Sequence, residues 1–142
     1  MSGVLIERIA GWGAATFEPG VQADAVASAE EALSHSLPND LGPVLAESDG
    51  IEGEYGLGLV WSLARIVRDN NTFRTDEQLR RLYMPFDGLV FFADAGIGDQ
   101  FALSLTGNSE VYVWDHESDS RSWVAPSVMA YLEGWMTGRI TV

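Results

Sequence analysis

Residues 87–116 read DGLVFFADAGIGDQFALSLTGNSEVYVWDH, a stretch that alternates β-rich segments with turns. The segments LVFFAD, DQFALSL and EVYVWDH are rich in branched and aromatic residues, which fit the pleated surface of a sheet. The separators AGIG and TGNS supply the glycine and asparagine that tight hairpin turns require. The stretch therefore predicts an antiparallel meander of three or more strands.

Helical patterns surround this meander. Residues 2–12 fit a short helix, and apolar residues recur every four positions from Val21 to Leu37. One more strand is predicted at residues 56–61, GLGLVW. Further helix starts are predicted at Leu37-Pro38, Ser62, Thr75 (with Gln78 completing a capping box) and Pro126.

Segregated helices and consecutive strands indicate the fold class α+β, a single domain with an antiparallel-rich sheet flanked by helices. A chain of 142 residues with 46% hydrophobic composition is long enough to form one such core. We expect residues 1–20 to form an N-terminal segment packed on a domain of residues 21–142.

The composition also excludes several kinds of site. The chain has no cysteine, which rules out disulfides, a thiol nucleophile and thiolate metal ligands. Its beginning lacks the basic and apolar regions of a secretory signal, and no segment approaches the roughly 20 apolar residues of a membrane span. We expect a cytoplasmic protein that does not associate with membranes.

Net charge is the most informative feature of the composition. Twenty-one acidic residues stand against eight basic ones, and the formal net charge is −13. Such a surface repels the phosphates of nucleic acids and attracts a basic protein. We therefore expect no nucleic-acid binding. Simple solubility explains the acidic charge, and attraction of a cationic protein partner is the functional explanation.

Asp94 and Asp99 flank the AGIG turn and raise the question of an active-site or metal loop. The spacing of oxygen ligands in a calcium loop is absent. A dinucleotide-binding loop needs a third glycine and a following helix, whereas here a strand follows. We expect a hairpin turn in which the two carboxylates cap backbone donors or bind a partner.

Asp115-His116-Glu117 is the most enzyme-like triplet in the chain. A histidine between carboxylates has the chemistry of a general base, but adjacent residues of a strand point to opposite faces. The three side chains converge only if the loop curls. No zinc ligand set with recognisable spacing, G-x-S-x-G or H-E-x-x-H motif is present. We expect no catalytic residue, metal or cofactor, and catalysis by Asp115 and His116 remains the enzymatic alternative.

Residues 47–54, ESDGIEGE, hold four carboxylates in eight positions. This segment is either a solvated loop or a docking surface for a basic partner. This segment, the AGIG turn and the Asp115-His116-Glu117 triplet together contain eight candidate partner-binding residues. They are Asp49, Glu52, Glu54, Asp94, Asp99, Asp115, His116 and Glu117.

The order of these features resembles the SUKH superfamily, which includes the yeast cell-wall-assembly regulator and many bacterial immunity proteins. The resemblance covers about residues 30–137 and departs from the usual pattern at Gly42-Pro43 and in the long link from Asp69 to Pro85. Residues at the matching positions are Leu37, Pro38, Asp49, Gly50, Phe86, Gly96, Gly98, Val111, Tyr112 and Trp114.

The resemblance implies a non-enzymatic binder. The expected function is that of an immunity protein which neutralises a cognate toxin domain, with a basic toxin such as a nuclease as the expected partner. The alternative is a regulatory or scaffold module that binds a cellular protein. We expect a monomer or a weak homodimer.

Overall fold

The computed structural model describes residues 3–38, 40–86, 88–105 and 110–142. Its helices are α1 (Val4–Ala10), α2 (Ala23–Leu33), α3 (Leu41–Glu47), α4 (Leu63–Thr75), α5 (Glu77–Leu82) and α6 (Val128–Met136). Its strands are β1 (Thr16–Phe17), β2 (Ile51–Glu52), β3 (Gly58–Val60), β4 (Leu89–Gly96), β5 (Asp99–Ser104), β6 (Val111–Asp115) and β7 (Ser120–Ala125). They form two antiparallel sheets, β1-β2-β3 and β4-β5-β6-β7, so the predicted α+β class is confirmed.

The larger sheet is the predicted meander with a fourth strand, β7, added at its edge. The AGIG turn joins β4 to β5, with Gly96 paired to Asp99. The predicted TGNS turn lies outside the described residues. The smaller sheet continues onto the larger one through a hydrogen bond of 2.7 Å from Trp61 N to Phe92 O.

The core lies between the larger sheet and the helices that cover it. On one face of this sheet an aromatic cluster forms, in which the Phe86 and Phe91 rings both pack edge-on against Trp114 at 5.3 and 5.5 Å. On the other face Tyr131 of α6 is fully buried against Phe101, and its hydroxyl donates to Leu59 O at 2.9 Å. Burial of such rings dominates the energetics of a core of this size.

The N-terminal segment contacts the rest of the chain through both α1 and β1. Glu47 Oε1 accepts hydrogen bonds from Leu5 N at 2.8 Å and Ile6 N at 3.0 Å, which satisfies amides in the first turn of α1. Phe17 of β1 pairs with Ile51 of β2. The domain boundary between residues 20 and 21 stays a prediction.

The starts of α3 and α5 differ from the prediction. Helix α3 begins at Leu41 and not at Pro38, which places Pro43 within the first turn, where proline is tolerated. Helix α5 is capped by Asp76 and not by Thr75, because Asp76 Oδ1 accepts from Gln78 N and Leu79 N at 2.9 and 3.1 Å.

The helix predicted from Val21 to Leu37 is also shorter than expected. It ends at Leu33 because Ser34 adopts a left-handed conformation with φ 58°. By contrast, Ser62 caps α4 as predicted, and its hydroxyl accepts from Arg65 N at 3.3 Å. None of the helices formed by the described residues combines the length and apolar character that a membrane crossing needs.

Candidate functional site

Two hairpin turns lie side by side at one end of the molecule. The turn between β2 and β3 and the AGIG turn between β4 and β5 together line a groove of about 420 Å³, which we call the turn groove. It is lined by residues 54–57, 94, and 96–99, and it contains the carboxylates of Glu54, Asp94 and Asp99.

A second cavity, of about 300 Å³, shares Gly56 with the turn groove. Its lining includes the carboxylates of Glu18, Asp49 and Glu52. We call the surface around both cavities the acidic face and define it by six carboxylates: Glu18, Asp49, Glu52, Glu54, Asp94 and Asp99. The fold thus gathers on one face the acidic groups of three separate segments of the chain.

Asp94 is paired with a cation and does not cap the backbone. Arg65 of α4 donates two hydrogen bonds to its two carboxylate oxygens, at 3.2 and 3.1 Å, and also binds Asp69 at 3.1 Å. The guanidinium carbon lies 4.0 Å from the centre of the Trp61 ring. Because the Arg65 guanidinium makes a bidentate contact with the carboxylate, it holds Asp94, which lines the turn groove, against α4.

Asp49 lies on the acidic face and also binds the main chain at the start of α4. Its Oδ1 accepts from Leu63 N at 2.8 Å, which satisfies an amide in the first turn of α4. Glu52 and Glu54 are exposed at the tip of the β2–β3 hairpin. Their carboxylates make no hydrogen bond or ion pair with the described residues, so they are available to a partner.

Asp99 and His116 meet because β5 and β6 pair in register. Gln100 lies opposite Trp114, so Asp99 lies close to the end of β6. Asp99 Oδ1 is 2.7 Å from His116 Nδ1 and accepts from His116 N at 3.2 Å. This hydrogen bond and the charge of Asp99 raise the pKa of His116 above 6.5. The imidazole also packs on Gly98, where an added Cβ would lie only 2.9 Å from the ring.

The loop after β6 curls. A curl was the condition for convergence of the Asp115, His116 and Glu117 side chains. Asp115 Oδ1 accepts from Glu117 N at 2.9 Å and Ser118 N at 3.3 Å, and these bonds lower the pKa of Asp115. Glu117 itself is exposed.

Asp99, Asp115 and His116 bring ligand-type atoms within 4.8 Å of one another. The sequence spacing gave no sign of this group, since strand register creates it. A hydrogen bond joins Asp99 to His116, whereas the Asp115 carboxylate binds amides of its own loop.

The pKa of His116 can be tested directly. Because Asp99 raises it, the histidine contributes stability that is fully present below pH 6.5 and is lost as the pH rises through the raised value. We expect the His116 imidazole signals to titrate above 6.5 in an NMR pH series. Replacing Asp99 with Asn should return the midpoint toward 6.5, whereas His35→Gln should leave it unchanged. An unshifted midpoint in the wild type would contradict the pairing.

The structure draws attention to two residues that sequence reasoning missed, Tyr55 and Ile97. Both line the turn groove, and both are almost fully exposed, with relative accessibilities of 102% and 92%. A sequence signal for them existed, because each is a large apolar residue directly before a glycine in a loop. The partner-binding role of the eight residues chosen from the sequence stays a prediction.

Comparison with known proteins identifies the family of this chain. The family model SUKH_6, described as SMI1-KNR4 cell-wall, matches residues 23–132, which is most of the chain. The chain belongs to the SUKH_6 family. The resemblance stated from the sequence is thereby confirmed, and the match runs from the start of α2 into α6 and includes both turns of the acidic face. The SUKH_6 family is generally non-enzymatic. Among curated proteins, no relative matches the chain.

Proposed function

We propose that this protein is an immunity protein that binds a basic toxin domain and blocks its active site or substrate groove without catalysing a reaction. Membership of the SUKH_6 family is consistent with an immunity or interaction module. The observation that carries the proposal is the acidic face, on which a chain of net charge −13 concentrates six carboxylates around two cavities.

Electrostatics favour a basic partner for this face. Arg65 is the only basic side chain that lines either cavity among the described residues, and Asp94 and Asp69 already engage it. Exposed Glu52 and Glu54 therefore project an uncompensated negative potential, which accelerates association with a positively charged surface. A toxin that binds nucleic acid carries such a surface in its substrate groove, and an acidic protein seated there excludes the substrate.

The decisive experiment is co-expression with the protein encoded by the adjacent reading frame. Rescue of cell survival together with co-purification of the two proteins would support the immunity function. A harmless neighbour that forms no complex would contradict it and favour a regulatory or scaffold module that binds a cellular protein.

Charge reversal tests whether the acidic face docks the partner. The double variant Glu52→Arg, Glu54→Arg should associate about tenfold more slowly with the toxin domain, because it removes long-range attraction. The association rate of the wild type should fall as salt rises, and that of the variant should fall less. Stopped-flow measurements at several ionic strengths give both values.

Glu77→Arg is the matched control for this change. Glu77 lies on α5, outside the acidic face, and its side chain is 84% exposed. A single reversal there changes the net charge without altering the face, so the association rate should change much less. Equal slowing per reversed charge at both places would mean that only the net charge matters, and not the acidic face.

A further inference from the structure

Each of the two turns of the turn groove contains two consecutive residues with positive φ. In the β2–β3 turn, Tyr55 has φ 59° and Gly56 has φ 73°, and Leu57 N donates to Glu54 O at 3.2 Å. In the β4–β5 turn, Ile97 has φ 42° and Gly98 has φ 92°. Positive φ at both central residues is the mark of a type I′ turn, which matches the twist of the flanking strands.

The first central residue of each turn is unusual for this conformation. Type I′ turns favour Asn, Asp or Gly there, since these residues tolerate positive φ. Tyr55 and Ile97 carry large side chains instead, and a β-branched residue such as Ile97 is a genuine outlier at positive φ. Strain of this kind persists where the rest of the fold enforces it, and it is concentrated at functional sites.

Burial in the core does not offset the backbone strain at Tyr55 and Ile97. Tyr55 and Ile97 have relative accessibilities of 102% and 92%, so neither side chain fills the core. Both turns place their apolar residue on the same groove, beside Glu54, Asp94 and Asp99. Large apolar side chains surrounded by charged ones are the pattern of a protein-binding hot spot and its polar rim.

We propose that Tyr55 and Ile97 are the apolar anchors of the acidic face, and that they dock on a basic surface of the partner protein that offers apolar contacts between its cationic groups. This inference rests on the proposed function, in that it takes the protein to be a binder of another protein. Charge selects this occupant over a second copy of the chain, because two acidic faces repel each other.

The variants Tyr55→Asn and Ile97→Asn separate binding from folding. Each creates an Asn-Gly turn, the preferred type I′ pair, and removes the anchor. The melting temperature should rise by about 2–4 °C per turn as the strain is relieved. Affinity for the partner should fall at least about tenfold per anchor, since burial of a large apolar side chain is lost. A residue with only a structural role would not raise stability while lowering affinity.

Leu82→Asn is the matched control. Leu82 is 70% exposed and lies at the end of α5, outside the turn groove. Its replacement removes a comparable exposed apolar side chain, so it should leave affinity unchanged. A loss of affinity as large as that of the anchor variants would overturn the proposal.

A second experiment tests the anchors without the natural partner. Two synthetic twelve-residue peptides, one alternating Arg with Leu and one alternating Arg with Ser, are titrated into the ¹⁵N-labelled protein. The Arg-Leu peptide should bind at least about tenfold more tightly, with the largest shift changes at residues 54–57 and 96–99. The double variant Tyr55→Asn, Ile97→Asn should lose this difference and keep the weak, salt-sensitive binding of the Arg-Ser peptide. Equal affinities in the wild type, or shifts centred elsewhere, would overturn the proposal.

The two arms distinguish failure of the inference from failure of the proposed function. If the adjacent gene product neither harms cells nor binds, but the peptides bind at the turn groove, the immunity function is contradicted and the anchor proposal is supported. If the complex forms and both anchor variants retain full affinity, the function stands and the anchors fail.

Discussion

Replacing Asn70 with Ala is expected to lower the free energy of unfolding by about 3 kcal/mol. Asn70 is 1% exposed and joins α4 to β4. Its Nδ2 donates to Phe91 O at 2.8 Å and to Ile66 O at 2.7 Å, and its Oδ1 accepts from Phe91 N at 2.8 Å. The side-chain amide thus binds the main chain of β4 as a neighbouring strand would. Alanine leaves the buried N–H and C=O of Phe91 without these bonds.

Asn71 provides the control in the next position of the same helix. Its side chain makes no hydrogen bond with the described residues and is only partly buried, so Asn71→Ala should change stability by less than about 0.5 kcal/mol. Urea denaturation of both variants, with m-values compared to confirm two-state behaviour, measures the difference. Near-equal midpoints would show that the Asn70 bonds are replaced by water. The Asn70-Asn71-Thr72 triplet matches a glycosylation sequon, and the burial of Asn70 explains this asparagine structurally.

Local patterns in the sequence were sufficient for most of the elements. The meander, the Ser62 cap and the amphipathic helix from Val21 each follow from residues within a few positions of one another. Elements without such a pattern were missed. Strands β1 and β2 have two residues each, and β7 reads SRSWVA, in which polar residues outnumber the strand formers at its start.

The candidate site was less predictable because it depends on contacts between distant segments. The pairing of Asp99 with His116 follows from strand register, and the bidentate pairing of Arg65 with Asp94 follows from the packing of α4 on β4. A single sequence fixes neither. Tyr55 and Ile97 were missed for a different reason. Turn composition predicts the AGIG turn that holds Ile97, but it does not predict that a large apolar side chain, a type usually buried, is exposed there. The structure shows both side chains exposed, at positions of positive φ.

Replacing Asp119 with Ala is also expected to lower the free energy of unfolding by about 3 kcal/mol. This change acts on the loop that carries His116. Asp119 Oδ1 accepts from Trp114 Nε1 at 2.8 Å and from Arg121 at 2.9 Å. Its Oδ2 accepts from Met84 N at 2.9 Å. The carboxylate therefore ties the β6–β7 turn to the segment before β4 and to the aromatic cluster.

The pH dependence of this contribution has a definite sign. Burial opposes ionisation, but the hydrogen bonds from Met84, Trp114 and Arg121 outweigh it and lower the pKa of Asp119 below 3.8. Stability from a group with a lowered pKa is present above 3.8 and is lost as the pH falls through the folded value. The Asp119→Ala variant should therefore lose less stability than the wild type on acidification, because it has already lost this group.

Asp119→Gly separates hydrogen bonding from backbone conformation. Asp119 has φ 60°, which glycine adopts without strain and alanine does not. If the carboxylate bonds dominate, the Gly and Ala variants should be destabilised to within about 1 kcal/mol of each other. A Gly variant as stable as the wild type would instead assign the whole effect to the turn conformation. In that case the β6–β7 turn would hold His116 against Asp99 without help from the Asp119 carboxylate.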